Sequence, residues 1–294
     1  MIQKRNLFEE LKYQVQNGTM TNRLIIINVA TFVFIHILFA LAKFSGNGWA
    51  FEYVNKLFTL NASWKGVLFM PWGLLTSMFS HFDIYHIFSN MIFLYFAGNL
   101  FEKFFDSRML LITYLFGGLA GGFSEIVSVT FIGEIHTVLG ASGSVMAILT
   151  ALAFYSPNTK VYLFGTFPIR LFVIALFFLA TDLIGIGNTN DHIAHFAHLG
   201  GALFGLLAMQ NLNTPKNINT QIDLFFKSLG KKVKNISKRK KASDRKVKTD
   251  EEYNFEKTKK QEKTDRILDK ISKSGYDSLN KEEKDFLFNQ SKNA

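Results

Sequence analysis

Six stretches of this chain are apolar and nearly free of charge, and short polar segments separate most of them: residues 24–41, 84–101, 109–131, 143–155, 169–186 and 193–212. A helix needs about 20 residues to cross about 30 Å of hydrocarbon. Any one of these runs would also fit a buried core helix of a water-soluble protein, but six in succession predict an all-α membrane bundle of six spanning helices. The fourth run is short. At about 1.5 Å per residue it covers only about 21 Å, so its first residues are expected below the membrane surface, with residues 132–141 dipping in to meet them. Non-helical backbone is tolerated at that depth only where it is buried in protein or lines a wet cavity. Between the first two runs, residues 44–75 form a long loop rich in aromatics (Trp49, Phe51, Tyr53, Trp64, Trp72), the composition of a segment lying in the headgroup region.

Charge then orients the bundle. Six spans put both termini on one side, which collects Lys4, Arg5, Lys12, Arg23, the loops at 103–108 and 160–170, and a basic tail. The other side holds only Lys43, Lys56 and Lys65 in the long loop. The excess of lysine and arginine marks the first side as cytoplasmic. Residues 1–14 are too polar for a cleavable signal peptide, so the first run is expected to be a retained span. The absence of cysteine excludes a disulfide framework and a thiol nucleophile.

The tail accounts for almost all of the net charge of +10. Residues 213–294 carry 22 of the 33 bases and 13 of the 23 acids, a net of +9, whereas residues 1–212 are close to neutral. Four segments follow: a cytoplasmic N-terminus at 1–23, a membrane domain at 24–212, a basic linker at 213–263 expected to be disordered, and a short helical module at 264–294. Residues 227–248 are basic and almost without apolar content, and are expected to lie along anionic headgroups. Nucleic acid is the rival partner for such a run, but proximity to the last span favours lipid. In the module, Ser278 ahead of Glu282 and Glu283 has the look of a helix start.

The candidate chemistry sits where glycine meets the apolar runs. Gly140-Ala141-Ser142-Gly143 opens the fourth run, and Ala197-His198-Leu199-Gly200-Gly201 lies near the start of the sixth. With the fourth and sixth runs crossing in the same direction, Ser142 and His198 come to one depth. A serine hydroxyl is a weak nucleophile that needs an adjacent base, and histidine supplies one that later protonates the leaving amine. His86 and Asn90 are spaced i and i+4 on the second run, with His81 just ahead. Their side chains, with the Ser142 amide at a helix start, are suitable donors for an oxyanion. Gly143, Ala147 and Ala151 on the fourth run, and Gly201 and Gly205 on the sixth, repeat every four residues and permit close helix approach. His192, His195 and His198 invite a metal reading, but no carboxylate partner accompanies their spacing, so neither metal nor cofactor is expected. Asp182, an acid in the fifth run, reads as a structural hydrogen-bonding residue.

These motifs, in this order over about residues 71–211, resemble the rhomboid family of intramembrane serine proteases, of bacterial type. The resemblance implies a six-transmembrane-helix rhomboid bundle with a long interfacial loop between spans 1 and 2. It implies a catalytic pair, Ser142 as nucleophile and His198 as base, without a third acidic member. His86, Asn90 and the Ser142 amide would form the oxyanion hole, with His81, Gly140, Gly143, Gly201 and Gly205 in support and Glu102 as a structural carboxylate at the inner end of span 2. It further implies cleavage of transmembrane protein substrates, and a multi-pass location in a bacterial inner membrane with both termini cytoplasmic. The alternative is a catalytically silent rhomboid-like protein that binds client transmembrane helices. One position departs from the family pattern: many members carry Trp-Arg in the long loop, where this chain reads Pro71-Trp72-Gly73.

Overall fold

The fold is almost entirely helical in the computed structural model, which describes residues 6–46, 48–133, 135–163, 166–186, 188, 193–243 and 249–291. Contacts divide the chain into two compact units, Met1–Lys227 and Ser228–Ala294. The first unit begins with α1 (Leu7–Asn17) and the long α2 (Met20–Phe44), followed by α3 (Gly48–Phe58), strand β1 (Leu60–Asn61), α4 (Trp64–Phe69) and α5 (Gly73–Thr76). Next come α6 (Ile84–Phe104), α7 (Ser107–Ile132), β2 (Thr137–Val138) and α8 (Ser142–Tyr155). A hairpin of β3 (Lys160–Leu163) and β4 (Phe167–Arg170) leads into α9 (Leu171–Gly185), and α10 (His195–Met209) completes the bundle. Three further helices follow: α11 (Ile218–Ser243), α12 (Asp250–Ser274) and α13 (Lys281–Ser291).

Helix boundaries follow from local chemistry. Thr19 caps α2 through the amide of Asn22, Asp83 caps α6 through those of Tyr85 and His86, and Asp106 caps α7 through that of Met109. Each side chain satisfies amides that the first helical turn leaves without a partner. At the far end of α7, Gly133 takes the left-handed conformation (φ 81°) that glycine adopts without steric cost.

The expected runs appear as helices, but of two kinds. By length and composition α2, α6 and α7 are long and apolar enough to cross a membrane, whereas α8, α9 and α10 are apolar but run only 14, 15 and 15 residues. The short helices differ in environment. Helix α8 is buried continuously from Gly143 to Ala153 and forms the centre of the bundle, as expected for a helix apolar on every side. Around it, Phe34, Phe88, Phe96, Phe177 and Ile184 are all more than half exposed. Water-soluble monomers rarely expose apolar surface on that scale; here the exposed rings have the character of a lipid-facing belt.

The long loop is folded rather than extended. β1 pairs antiparallel with β2, Leu60 opposite Val138 and Asn61 opposite Thr137, so the loop after α2 is joined to the segment that leads into α8. Where many rhomboids have arginine, Gly73 packs so closely on the backbone that an added Cβ would lie 2.7 Å from the Thr59 carbonyl oxygen. Trp72 Nε1 donates to the Lys56 carbonyl at 3.1 Å and Thr76 Oγ1 to the Leu57 carbonyl at 2.7 Å. Those two bonds brace the loop without a charged side chain.

Two expectations for the tail are corrected. The linker expected to be disordered is helical over Ile218–Ser243, and α12 starts at Asp250, well ahead of residue 264. Lysine, glutamate and glutamine keep most of their rotamer freedom in a helix, and Thr249 with Glu252 forms a reciprocal capping box that starts α12. The start of the last helix also moves. Asn280, not Ser278, makes the reciprocal bonds, its Oδ1 accepting from Glu283 N at 2.9 Å while Glu283 Oε2 accepts from Asn280 N at 2.8 Å. Lys270 bonds the same Glu283 at 2.9 Å. That bond, with the Asn280 amide, holds the Glu283 carboxyl below the usual carboxylate range.

The contact between α8 and α10 has no room for a methyl group: a Cβ on Gly201 would overlap the carbonyl of Gly143. Gly201→Ala is therefore expected to destabilise the purified protein by about 1–3 kcal/mol and to lower its melting temperature. Gly230→Ala, where nothing lies within 4 Å of the added Cβ, should not lower it. Equal melting of Gly201→Ala and the unsubstituted protein would show that the two backbones separate freely.

Candidate active site

Ser142 is the first residue of α8, so its amide has no intrahelical acceptor. The turn ahead of it is held from three directions. Gly140 N donates to the Ser77 carbonyl at 2.9 Å, Ala141 N to His81 Nε2 at 3.3 Å, and β2 is paired with β1. Gly140 is required twice over. Its φ of +124° disfavours any side chain, and a Cβ there would lie 2.8 Å from His86 Nε2. His81 is fully buried, outside the spanning helices, and burial pushes its imidazole down to about 3. It is thus a neutral ring able to accept the Ala141 amide.

Across this turn lies His198, on the first turn of α10. Its Nε2 is 2.7 Å from Ser142 Oγ. The two residues singled out by sequence are in hydrogen-bond contact, brought there by the close approach of their helices. Gly143 lies 3.0 Å (by its would-be Cβ) from the Ala197 carbonyl oxygen, and a Cβ on Gly205 would overlap the Ala147 carbonyl. His86 packs edge-on to His81, ring centroids 5.0 Å apart, and faces Gly140. Asn90 is buried on the next turn of α6 and donates one amide hydrogen back to the His86 carbonyl at 2.9 Å. Glu102 is at the opposite end of α6. Its carboxylate accepts from Met20 N (2.9 Å), Thr21 N (3.1 Å), Thr21 Oγ1 (2.6 Å) and Ser107 Oγ (2.7 Å), tying the starts of α2 and α7 together.

Two acids reach the site, one that sequence reading took for a structural hydrogen-bonding residue and one that it missed. Asp182, on α9, lies with one carboxylate oxygen 2.8 Å from His198 Nδ1 and 2.9 Å from His195 Nδ1. The histidines of α10 therefore do have a carboxylate partner, supplied from another helix; His192 lies outside the described residues. Among the described residues, no group of histidines and acids is arranged to hold a metal ion. The second acid is Glu125, buried on α7, whose Oε1 accepts from Ala197 N at 2.8 Å and whose Oε2 lies 3.0 Å from His136 Nε2. Ala194, the residue before α10, offers no side-chain cap, so Glu125 supplies that cap from a neighbouring helix, one residue before His198. It also ties the helix to the segment that runs into Ser142. A signal was present in the sequence: Glu125 is the one charged residue in the third run, and ionisable groups at membrane depth are costly unless paired.

A serine hydroxyl against an imidazole, at the head of a short helix inside a polytopic bundle, defines a membrane-embedded serine–histidine site. Residues 69–212 match the rhomboid domain family, and through this domain the chain belongs to the rhomboid family. Residues 248–293 match a family of unknown function, DUF6576. Among curated relatives, the mitochondrial RHOMBOID-like protein 12 of Arabidopsis thaliana is 34% identical over 149 residues, covering 46% of this chain and 44% of that protein. The mitochondrial presenilin-associated rhomboid-like protein A of Danio rerio is 31% identical over 157 residues, 53% of this chain and 40% of that protein. The corresponding protein of Homo sapiens is 31% identical over 155 residues, 51% and 40%. The chain thus spans less than half the length of these relatives. They also overturn one expectation. The matched proteins are mitochondrial, which counts against a bacterial inner membrane, and the assignment of both termini to a cytoplasm falls with it. The charge bias reports which side of a membrane a loop occupies, and is silent on which membrane that is.

Removing the Glu125 carboxylate leaves the buried Ala197 amide without an acceptor. Glu125→Ala is expected to cost about 1–3 kcal/mol of stability, and Glu125→Gln, which keeps an acceptor, to cost less. Denaturation of the two variants side by side checks this; identical curves for both would remove the capping role.

Proposed function

We propose that this chain is an intramembrane serine endopeptidase that hydrolyses peptide bonds in or beside the transmembrane segments of other membrane proteins. The observation that carries the proposal is the 2.7 Å contact between His198 Nε2 and Ser142 Oγ at the head of α8. Membership of the rhomboid family supports it. In this reading Ser142 Oγ attacks the substrate carbonyl carbon while His198 Nε2 takes the hydroxyl proton. The resulting oxyanion is met by the Ser142 amide, with His86 and Asn90 as further donors. Collapse breaks the C–N bond, and His198 returns the proton to the leaving amine. Water, deprotonated by the same ring, then releases the acyl group from Ser142. The cleaved position is expected to carry small residues, because glycine and alanine line the seam beside the serine. Gly143, Gly201 and Gly205 act by setting helix spacing and Glu102 by joining helix ends, away from the reacting atoms.

Incubation of the reconstituted protein with a single-span membrane substrate tests this reading. Cleavage is expected, and Ser142→Ala should lower it at least about 10⁴-fold. Cleavage that persists unchanged in Ser142→Ala would sink the nucleophile assignment. Binding of the substrate without any cleavage would favour the client-binding alternative.

The basic tail takes the membrane surface as its partner in this proposal. Ile218, Ile222, Phe225, Phe226 and Leu229 recur at helical spacing along the start of α11, and Leu224, Phe225 and Phe226 are each more than half exposed. The Arg108–Asp223 ion pair and the Asn219–Thr113 hydrogen bond seat its first turns on α7. An apolar stripe beside lysines suits a helix lying in the headgroup region. The chain has no cysteine, so a single probe is clean. A spin label on Leu229→Cys is expected to be shielded from a water-soluble relaxant in vesicles containing anionic lipid. The same label on Lys227→Cys should remain accessible. Equal accessibility at both positions, or shielding produced by an oligonucleotide instead of lipid, would exclude the lipid assignment.

A further inference from the structure

Asp182 lies in a helix that is otherwise uncharged from Leu171 to Gly185, and it is 4% exposed. An ionised carboxylate in such surroundings costs several kcal/mol unless it is paired. Its pairing is selective. Oδ1 faces two ring nitrogens, His198 Nδ1 at 2.8 Å and His195 Nδ1 at 2.9 Å, while Oδ2 is buried without a partner among the described residues. Among the described residues, the carboxylate's hydrogen bonding is thus directed at α10.

With Asp182 ionised, the acceptor assigns the protons. An ionised carboxylate only accepts, and against it both Nδ1 atoms carry hydrogen. In the neutral ring of His198 that leaves Nε2 bare, and Nε2 is the atom 2.7 Å from Ser142 Oγ. The ring is then fixed as an acceptor for the serine proton. When it takes that proton, positive charge forms beside a buried carboxylate 2.8 Å from the far nitrogen, where opposite charges interact more strongly than in water. His195 holds the carboxylate in place. It stands one turn before His198 on the same helix, and its ring packs on α9 so closely that a Cβ on Gly185 would overlap it.

We propose that Asp182 is a positioning residue for the reaction, so that the site works as a Ser142–His198–Asp182 relay with His195 bracing the acid, in place of the two-residue arrangement expected from the family resemblance. This rests on the reading of Ser142 and His198 as nucleophile and base. The acid comes from α9, the serine from α8 and the base from α10, so the relay also links the three short helices of the bundle.

The test uses the full chain, reconstituted and labelled with ¹⁵N-histidine. His198 is assigned by the resonances that vanish in His198→Gln. In the unsubstituted protein its neutral ring is expected to hold hydrogen on Nδ1 and none on Nε2. A ring protonated on Nε2 would overturn the proposal, and this readout needs neither substrate nor a variant of Asp182. Asp182→Asn, which is isosteric, is expected to move the hydrogen to Nε2. It should lower kcat by about 10²–10⁴-fold with KM within about threefold, by analogy with acid-to-amide exchange in other serine–histidine–aspartate sites. A kcat within about fivefold of the unsubstituted protein, with His198 keeping its proton on Nδ1, would reduce Asp182 to packing. Failure of the protease reading looks different: Ser142→Ala would then leave cleavage unchanged, whatever the tautomer of His198.

Discussion

The separation between α8 and α10 governs this site. The two helices run so close at Gly143 and Gly201 that a single methyl group would not fit between them. Ser142 is the residue before that contact on one helix, and His198 lies one turn before it on the other. The 2.7 Å reach from ring to hydroxyl is a consequence of backbone spacing more than of side-chain length. In a bilayer no hydrophobic force drives two apolar helices together, and association relies on van der Waals packing between small residues. The residues that allow the contact are therefore those without side chains.

A second constraint is that lipid satisfies no hydrogen bonds. Helix starts that water would serve in a soluble protein must be served from within. Glu102 does this at one end of the bundle for α2, and Glu125 at the other end for α10, each from a different helix. A carboxylate at a helix N-terminus also meets the positive end of its dipole. Both acids consequently do two jobs: they close the hydrogen-bond account of a helix and fix which helix ends meet. His81 and the β1–β2 pairing do the same for the turn before Ser142. The result is a turn before Ser142 whose Gly140 and Ala141 amides are engaged by protein.

The tail obeys different rules because water is available to it. Its helices are specified by local signals, namely the capping boxes at Thr249 and Asn280 and a long run of residues with good helix propensity. High charge alone had suggested disorder for residues 213–263. That inference fails where long charged side chains are themselves good helix formers.

The apolar runs, their order and the glycine-flanked serine and histidine were all legible in the sequence, because hydropathy and small-residue spacing are local properties. So were His81, His86 and Asn90 as a polar cluster ahead of and on one helix face. Asp182 and Glu125 were visible as isolated acids in apolar runs, but their partners were not. Asp182 meets His195 and His198 across 13 and 16 residues, and Glu125 meets Ala197 across 72. Such pairings depend on how one helix is rotated and shifted against another, which periodicity along a single helix leaves open. Sequence by itself determined a rhomboid-type helical bundle and the two residues, Ser142 and His198, that meet at the heads of α8 and α10. Only the tertiary structure decided which carboxylates serve that contact, because a buried charge is partnered by whatever packing brings within about 3 Å.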